Sequence, residues 1–210
     1  MPHTHPQLKL TYFPIPGRAE LIRLLLYIHD IPFKDERLTM EMFLRRKAEF
    51  PFEQMPTLTI DGVEYAQSHC LARYVGKLTG MYPSNPLDAL RVDEILAFED
   101  DIVKTTVAVV YEKDVVRQKT MATELSQTTL PKLFGLLEKR IAMTKGVFVL
   151  GETMSITDIA LYALMATFKS SRLSVLDTHF IDKCAHLRAI HDAVRDHPKV
   201  QSWNAKYNAY

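Results

Sequence analysis

Tyr12 is the first residue in this sequence whose type and position suit chemistry. Apolar residues alternate with polar ones from 8 to 12, which predicts a strand, and the prolines and glycine at 14–17 end that strand at Phe13. Apolar residues recur at helical spacing from Ala19 onward, so a helix begins just after the phenol. A polar group at the carboxyl end of a strand, beside a helix N-terminus, is where open α/β folds usually bind ligands.

Two other pairs of polar residues have types suited to binding charged groups. Gln67 and Ser68 precede a helical pattern, and the N–H groups and dipole at a helix N-terminus suit a carboxylate. Ser68 also suits the role of an ordinary N-cap, and the two roles are compatible. Asp100 and Asp101 lie side by side in a helical stretch, where such a pair is more often a solvated face than a ligand set.

The elements that must position these residues form a mixed α/β unit in the N-terminal part of the chain. A strand at 33–38 runs parallel to the first strand because a helix connects the two. Thr39 can cap a short helix at 40–47. Asp61 and Gly62 supply the two positive φ values of a type I′ turn, which predicts a β-hairpin.

The rest of the chain is helical in period. Gly80 closes the helix that follows the hairpin, which completes the order βαβαββα. Residues 81–87 hold the densest cluster of proline, serine and asparagine and mark a domain boundary. Ser155 and Asp158 have the spacing of a capping box, with Asp in place of the usual Glu or Gln. Helices are predicted at about 88–113, 130–141, 156–168, 187–194 and 200–207.

Composition excludes several classes of protein. The 210 residues are 47% hydrophobic and carry a net charge of +1, which gives no long-range reason to expect nucleic acid or an anionic membrane as a partner. The polar residues 1–7 do not resemble a secretory signal, and no apolar run approaches a membrane span. Cys70 and Cys184 are far apart and outside any CxxC pair, which predicts a reducing, cytoplasmic compartment and argues against a disulfide scaffold or a zinc site.

Three stretches together resemble the glutathione S-transferase family, and its sigma class most closely. They are LTYFPIPGRAELIR, the pair QMPTLTIDG and QSHCLARY, and SITDIALY. The resemblance implies a thioredoxin-like, glutathione-binding α+β domain at 1–80, a linker at 81–87 and an all-helical domain at 88–210. It also implies a homodimer with reduced glutathione as co-substrate and no metal.

The resemblance implies that Tyr12 is catalytic. A phenol is a poor base at neutral pH, so its role would be to donate its O–H to the glutathione sulfur and favour the thiolate. Arg18, which is always charged, would add positive potential beside the same sulfur. The alternative is that Tyr12 is an aromatic residue packed under a loop at the end of a strand.

The resemblance also implies which residues bind the rest of glutathione. A cis peptide before Pro56 would turn the backbone of Met55 outward to pair with the cysteinyl backbone, whereas a trans proline would merely begin an edge strand. Asp101 of the partner subunit would reach the γ-glutamyl amine. The implied glutathione-binding set is Tyr12, Arg18, Phe43, Lys47, Gln54, Met55, Pro56, Gln67, Ser68 and Asp101.

Some implied contacts depart from the family pattern. Phe43 stands where sigma-class relatives commonly have a tryptophan, and it has no N–H to donate. Ala108 is small where the prostaglandin-producing relatives have a large aromatic, which argues against that isomerase. Phe13, Ile15, Ala108 and Tyr111, with Phe168 and Tyr210 as further candidates, would line the electrophile pocket; simple packing is the alternative for these side chains.

The predicted function is therefore conjugation of glutathione to small hydrophobic electrophiles in detoxification. A glutathione-dependent isomerase or peroxidase would use the same site. A non-enzymatic crystallin or ligand carrier with the same fold is a further alternative, and it would be expected to have lost the site.

Overall fold

The computed structural model describes residues 5–207, so Tyr210, a candidate for the electrophile pocket, lies outside the described part of the chain. The chain folds as two compact units. The first extends to Tyr82 and includes the last described helix, and the second is Pro83–His197. The predicted combination of a thioredoxin-like α+β domain with an all-helical domain is confirmed.

The first unit is built on a four-stranded sheet with the order β2-β1-β3-β4. Strand β2 is parallel to β1, whereas β3 pairs antiparallel with both β1 and β4. The strands are β1 at Leu8–Tyr12, β2 at Lys34–Arg37, β3 at Thr57–Ile60 and β4 at Val63–Ala66. Asp61 and Gly62 between β3 and β4 have φ values of 48° and 88°, so the predicted type I′ signs are confirmed.

Three helices follow strands of this sheet, and local sequence signals set most of their ends. They are α1 at Glu20–Ile28, preceded by a 3₁₀ turn at Gly17–Ala19, α2 at Met40–Arg46 and α3 at Ser68–Thr79. The Thr39 hydroxyl accepts a hydrogen bond from the Met42 N–H at 3.2 Å and caps α2 as predicted. Gly80 ends α3 in the left-handed conformation, also as predicted.

One capping prediction is wrong. Gln67, with φ 75°, is the N-cap of α3, and Ser68 is the first helical residue. The positive φ of Gln67 turns the chain sharply out of β4, so the helix begins one residue later than an N-cap at Ser68 requires.

The second unit holds five α-helices among its described residues. They are α4 at Pro86–Val110, α5 at Val115–Glu124, α6 at Leu130–Ile141, α7 at Ile156–Lys169 and α8 at Ala185–Arg195. The Asn85 side chain accepts the N–H groups of Leu87 and Asp88, so α4 begins inside the predicted linker 81–87.

Helix α5 was not predicted from the sequence. Its N-cap is Asp114, whose side chain accepts the N–H groups of Val116 and Arg117. It leads through one π-helical turn, Leu125–Thr129, directly into α6. Pro131 explains this wider turn, because it has no N–H to complete the α-helical ladder there.

The capping box at the start of α7 is confirmed. Asp158 Oδ2 accepts the N–H and the hydroxyl of Ser155, each at 2.8 Å, and Oδ1 accepts the N–H of Val149 at 2.8 Å. Almost every residue of α7 is buried, as its apolar run predicted. Within residues 5–207, no helix is long and apolar enough to cross a membrane.

The final helix, α9 at Pro198–Tyr207, packs with the first unit, whereas the prediction assigned it to the helical domain at 88–210. Val200 and Trp203 are buried, and the Trp203 indole N–H donates to Glu20 Oε1 on α1 at 2.6 Å. A chain segment far from the N-terminal domain in sequence therefore completes its core.

Candidate active site

The sheet register brings three of the predicted segments to one edge. Thr57, the first residue of β3, pairs with Thr11 of β1 on one side and with Ala66 of β4 on the other. Tyr12 follows Thr11, Pro56 precedes Thr57 and Gln67 follows Ala66. These three residues therefore lie at the same edge of the sheet. A phenol, a proline turn and a helix N-terminus thus lie side by side although the sequence separates them.

Tyr12 is nearly buried, with 8% of its surface exposed. Its phenol oxygen accepts a hydrogen bond from the backbone N–H of Arg18 at 3.3 Å. Its ring meets that of Phe13 edge to face, with 5.4 Å between the centroids. The backbone N–H of Arg18 is therefore one contact that holds the phenol oxygen in place.

Gly17 is required by this arrangement. Its φ of +46° lies in the left-handed region, and a Cβ placed on it would stand 2.9 Å from the Tyr12 hydroxyl oxygen. The phenol therefore lies so close to the backbone at Gly17 that a side chain there would displace it.

Arg23 lies beneath the loop that follows Tyr12 and is only 1% exposed. Its guanidinium donates to the carbonyl oxygens of Phe13 at 3.1 Å, Ile15 at 2.6 Å and Pro16 at 3.4 Å. Its Nε–H donates to Asp35 Oδ1 at 3.2 Å. One buried cation thus binds most of the carbonyl groups of the loop between the phenol and Gly17.

Glu20 completes this buried cluster. Its carboxylate lies 3.5 Å from Arg23 and accepts the indole N–H of Trp203. Burial raises the pKa of Glu20, and the neighbouring guanidinium only partly opposes that effect.

The proline turn has the geometry that the resemblance implied. The Met55–Pro56 peptide is cis, and Pro56 is buried while Met55 is half-buried and Gln54 is exposed. At the neighbouring segment, Gln67 is exposed and Ser68 half-buried. Within residues 5–207 the Gln67 side chain makes no capping hydrogen bond to α3. The N-cap side chain therefore does not compete with a ligand for the first N–H groups of α3.

Two predicted residues lie on or just after α2. Phe43 packs edge to face on Phe13, with 5.5 Å between centroids, and tilts against Phe50 at 5.8 Å. Lys47 is exposed, and its ammonium lies 3.4 Å from a carboxylate oxygen of Glu53. An aromatic path therefore connects Tyr12 to α2, while Lys47 is engaged in a solvent-exposed ion pair.

The remaining predicted residues lie in the helical unit. Asp101 and Ala108 are exposed on α4, and Tyr111 immediately after it is 64% exposed. Phe168 is 3% exposed and packs edge to face on Phe134, which places it in the core of this unit and favours the packing alternative for it. Phe13 and Ile15 are half-buried in the first unit, so the predicted electrophile pocket stays a prediction.

Sequence reasoning missed Gly17, Glu20 and Arg23 as parts of the site. A signal was present, because Glu20 and Arg23 fall in a helix whose residues 20–26 are all buried. Charged side chains are seldom fully buried unless they are paired, so a Glu and an Arg three residues apart in such a helix indicate a buried ion pair.

Comparisons with known proteins match both units. The model of the glutathione S-transferase N-terminal domain matches residues 8–77, and that of the C-terminal domain matches residues 100–207. A glutathione S-transferase of Dirofilaria immitis is 30% identical over 203 residues, which cover 96% of this chain and 93% of that protein.

Solved structures agree with these matches. Prostaglandin synthase D of Nilaparvata lugens has a TM-score of 0.86 and 31% identity, covering 96% of this chain and 98% of that one. A sigma-class glutathione S-transferase of Fasciola hepatica has a TM-score of 0.83 and covers 98% of each chain, which at 21% identity is a likeness of fold. Two family models that together span most of the chain, and a relative similar along its whole length, show that this protein belongs to the glutathione S-transferase family.

Proposed function

We propose that this protein binds reduced glutathione at the edge of the sheet where Tyr12, Pro56 and Gln67 meet, and transfers its thiolate to small hydrophobic electrophiles. The observation that carries the proposal is the Tyr12 phenol, held at the end of β1 by the Arg18 N–H beside the cis Met55–Pro56 turn.

The chemistry begins with the thiol of glutathione. A free thiol has a pKa of about 8.5 and is mostly protonated at neutral pH. A phenol that donates its O–H to the sulfur stabilises the thiolate and so lowers the pKa of the thiol. The phenol oxygen of Tyr12 accepts the Arg18 N–H, and this acceptor role is compatible with donation of its own proton to sulfur. The thiolate is then the nucleophile, and binding supplies proximity to the electrophile.

The rest of glutathione would be held by backbone groups and charges. The backbone of Met55 pairs with the cysteinyl unit as a neighbouring strand would. The N-terminus of α3 at Ser68 binds the γ-glutamyl carboxylate through its N–H groups and dipole. Lys47 binds the glycyl carboxylate, and its ion pair with Glu53 breaks when glutathione binds. Asp101 of the partner subunit takes the γ-glutamyl amine, which makes the active protein a homodimer.

Apolar residues beside the phenol would contact the electrophile. Phe13 and Ile15 are half-buried next to Tyr12, and Phe43 packs edge to face on Phe13. That Ala108 and Tyr111 line this pocket stays a prediction. Cys70 and Cys184 form no disulfide, which supports a reducing, cytoplasmic location for this chemistry.

Tyr12→Phe tests the role of the phenol. The variant should keep the stability and glutathione affinity of the wild type, and its turnover of 1-chloro-2,4-dinitrobenzene should fall by about 10- to 100-fold. Tyr65→Phe is the matched control, because it removes a half-exposed phenol from β4. Unchanged turnover in Tyr12→Phe would reject the catalytic role of Tyr12.

Two measurements separate the remaining alternatives. Titration calorimetry with glutathione should give saturable heat, whereas a crystallin-like protein with a lost site should give none. A panel of aryl halides, enones and hydroperoxides then distinguishes conjugation from peroxidase activity. The prostaglandin synthase neighbour gives a reason to add an isomerase assay with a prostaglandin endoperoxide, which the small Ala108 predicts to be negative.

A further inference from the structure

We propose that Arg23 is a positioning residue for Tyr12: by binding the carbonyl oxygens of the loop 13–16 it fixes the phenol at the place where it stabilises a thiolate. This inference rests on the proposed function of Tyr12. It concerns a side chain that is buried beneath the phenol and is not expected to touch glutathione.

The loop between Tyr12 and Gly17 contains two prolines and no element of regular structure. Carbonyl groups buried in such a loop require donors, since an unpaired buried acceptor is costly. Arg23 supplies them to Phe13, Ile15 and Pro16 at 3.1, 2.6 and 3.4 Å. Only a planar guanidinium has enough donors in a fixed geometry to bind three carbonyl groups and a carboxylate together.

Arg23 is itself held in place by two carboxylates, one of which is fixed in turn by Trp203. Asp35 on β2 accepts its Nε–H at 3.2 Å, and Glu20 one turn earlier on α1 lies 3.5 Å away. Trp203 on α9 donates to Glu20 at 2.6 Å and so fixes the carboxylate. The guanidinium therefore has little freedom to follow a loop that moves.

The position of the loop determines the position of the phenol. The Arg18 N–H that contacts the Tyr12 oxygen at 3.3 Å lies at the far end of the loop, next to Gly17. The guanidinium carbon of Arg23 also lies 5.8 Å from the centre of the Tyr12 ring. Arg23 thus contacts the start of the loop at Phe13 and also the Tyr12 ring. The hydroxyl of that ring is bound by the Arg18 N–H at the other end of the loop. Loosening the loop would separate the phenol oxygen from its N–H donor and from a bound sulfur.

Arg23→Lys is the direct test, because it keeps the charge and removes the fork. The measured quantity is the pKa of the thiol of bound glutathione, followed by the ultraviolet absorbance of the thiolate against pH. Arg37→Lys is the matched control. Arg37 shares Asp35 with Arg23 at 2.8 Å and stacks on Tyr207. It donates to none of the three loop carbonyl groups.

The proposal predicts that Arg23→Lys raises the pKa of the bound thiol, so that kcat measured at a pH well below that pKa falls roughly tenfold for each unit of the rise. Glutathione affinity should change by less than about threefold, since Met55 and Ser68 lie outside the loop. Arg37→Lys should match the wild type. A folded Arg23→Lys protein with the wild-type thiol pKa would overturn the proposal and leave a purely structural role for Arg23.

The wild type is measured first, which separates this proposal from the proposed function. If the wild type binds no glutathione or forms no thiolate, the proposed function fails and the positioning role fails with it. If Arg23→Lys does not fold, Glu20→Gln decides, because it removes the charge opposite the guanidinium and keeps an acceptor for Trp203. A raised thiol pKa in that variant supports the proposal, and an unchanged value rejects it.

Discussion

Glu20 in the first unit and Asp158 in the second are both buried carboxylates, but they have different kinds of hydrogen-bond partners. Burial raises the pKa of both groups. Among the described residues, Asp158 accepts neutral N–H and O–H donors from Ser155 and Val149, which lie within nine residues of it. Glu20 is bound by a guanidinium and by the indole of Trp203, which is 183 residues away.

The difference teaches that a buried carboxylate can close a local turn or connect distant elements. The Ser155–Asp158 pair completes the start of one helix, so its effect should be confined to stability. The cluster of Glu20, Arg23 and Trp203 binds a loop that carries a functional side chain, so damage to it should alter both stability and chemistry. Four variants test this contrast.

Asp158→Ala should have the largest effect on stability. It leaves the N–H groups of Val149 and Ser155 buried without their acceptor, so the free energy of unfolding should fall by about 3 kcal/mol. Urea denaturation followed by circular dichroism measures the loss. Asp182→Ala, at an exposed site, is the control. The contrast breaks if the folded Asp158→Ala protein also shows an altered pKa of the bound glutathione thiol.

Trp203→Phe should cost about 2 kcal/mol, because it removes buried volume and the indole donor of Glu20. Unlike Asp158→Ala, it should also raise the pKa of the bound thiol. Combining it with Glu20→Gln in a double-mutant cycle should give losses that are not additive. Strict additivity would mean that the Trp203–Glu20 contact does not connect α9 to the loop.

Gly17→Ala should cost about 1 to 2 kcal/mol and reduce turnover, since its Cβ would press on the Tyr12 hydroxyl. Gly62→Ala isolates the backbone part of this cost. It also has a positive φ, and a Cβ placed there meets no atom of the described chain within 4 Å. Denaturation and turnover are measured for both variants. Equal behaviour of the two would show that the close approach to the phenol has no effect.

Glu138→Gln should have the smallest effect and gives a pH test. Burial alone would raise the pKa of Glu138, but the N–H groups of His186 and Leu187 and the His186 ring together hold it below its ordinary value of 4.5. A carboxyl whose pKa is lower in the folded state adds stability above pH 4.5 and loses it as the pH falls through the folded-state value.

Glu138→Gln should therefore lower the free energy of unfolding by about 1 kcal/mol at pH 7 and by less at pH 3. Chemical denaturation at the two pH values measures the difference. Glu94→Gln, which removes an exposed partner of Arg140, should show a smaller pH dependence. A loss in Glu138→Gln that is equal at both pH values would contradict the assigned charge effect.

Local signals in the sequence predicted the local features of the fold. The Asp61-Gly62 turn, the Thr39 cap and the Ser155–Asp158 box each depend on residues within a few positions of one another, so a single stretch contains the whole cause. The start of α3 was misplaced by one residue because a positive φ at Gln67, a residue that seldom adopts it, took the N-cap position.

The parts that sequence reasoning missed depend on distant residues. Arg23 has its role only because the loop 13–16 folds over it and Asp35 arrives from the next strand. Trp203 contacts Glu20 although the whole helical unit lies between them in the sequence. The positions of Tyr12, Pro56 and Gln67 at one edge were implied by family resemblance, and the strand register supplies the physical reason.

Helix α9 has a consequence for anyone who recombines this protein with a relative. The chain leaves the first unit after Tyr82 and returns to it at Pro198, so a single crossover near the linker would combine the sheet of one parent with the closing helix of the other. A chimaera that exchanges only residues 83–197 keeps Trp203 with its own Glu20. Two junctions, rather than one, therefore separate the exchangeable part of this molecule from the part that must be inherited whole.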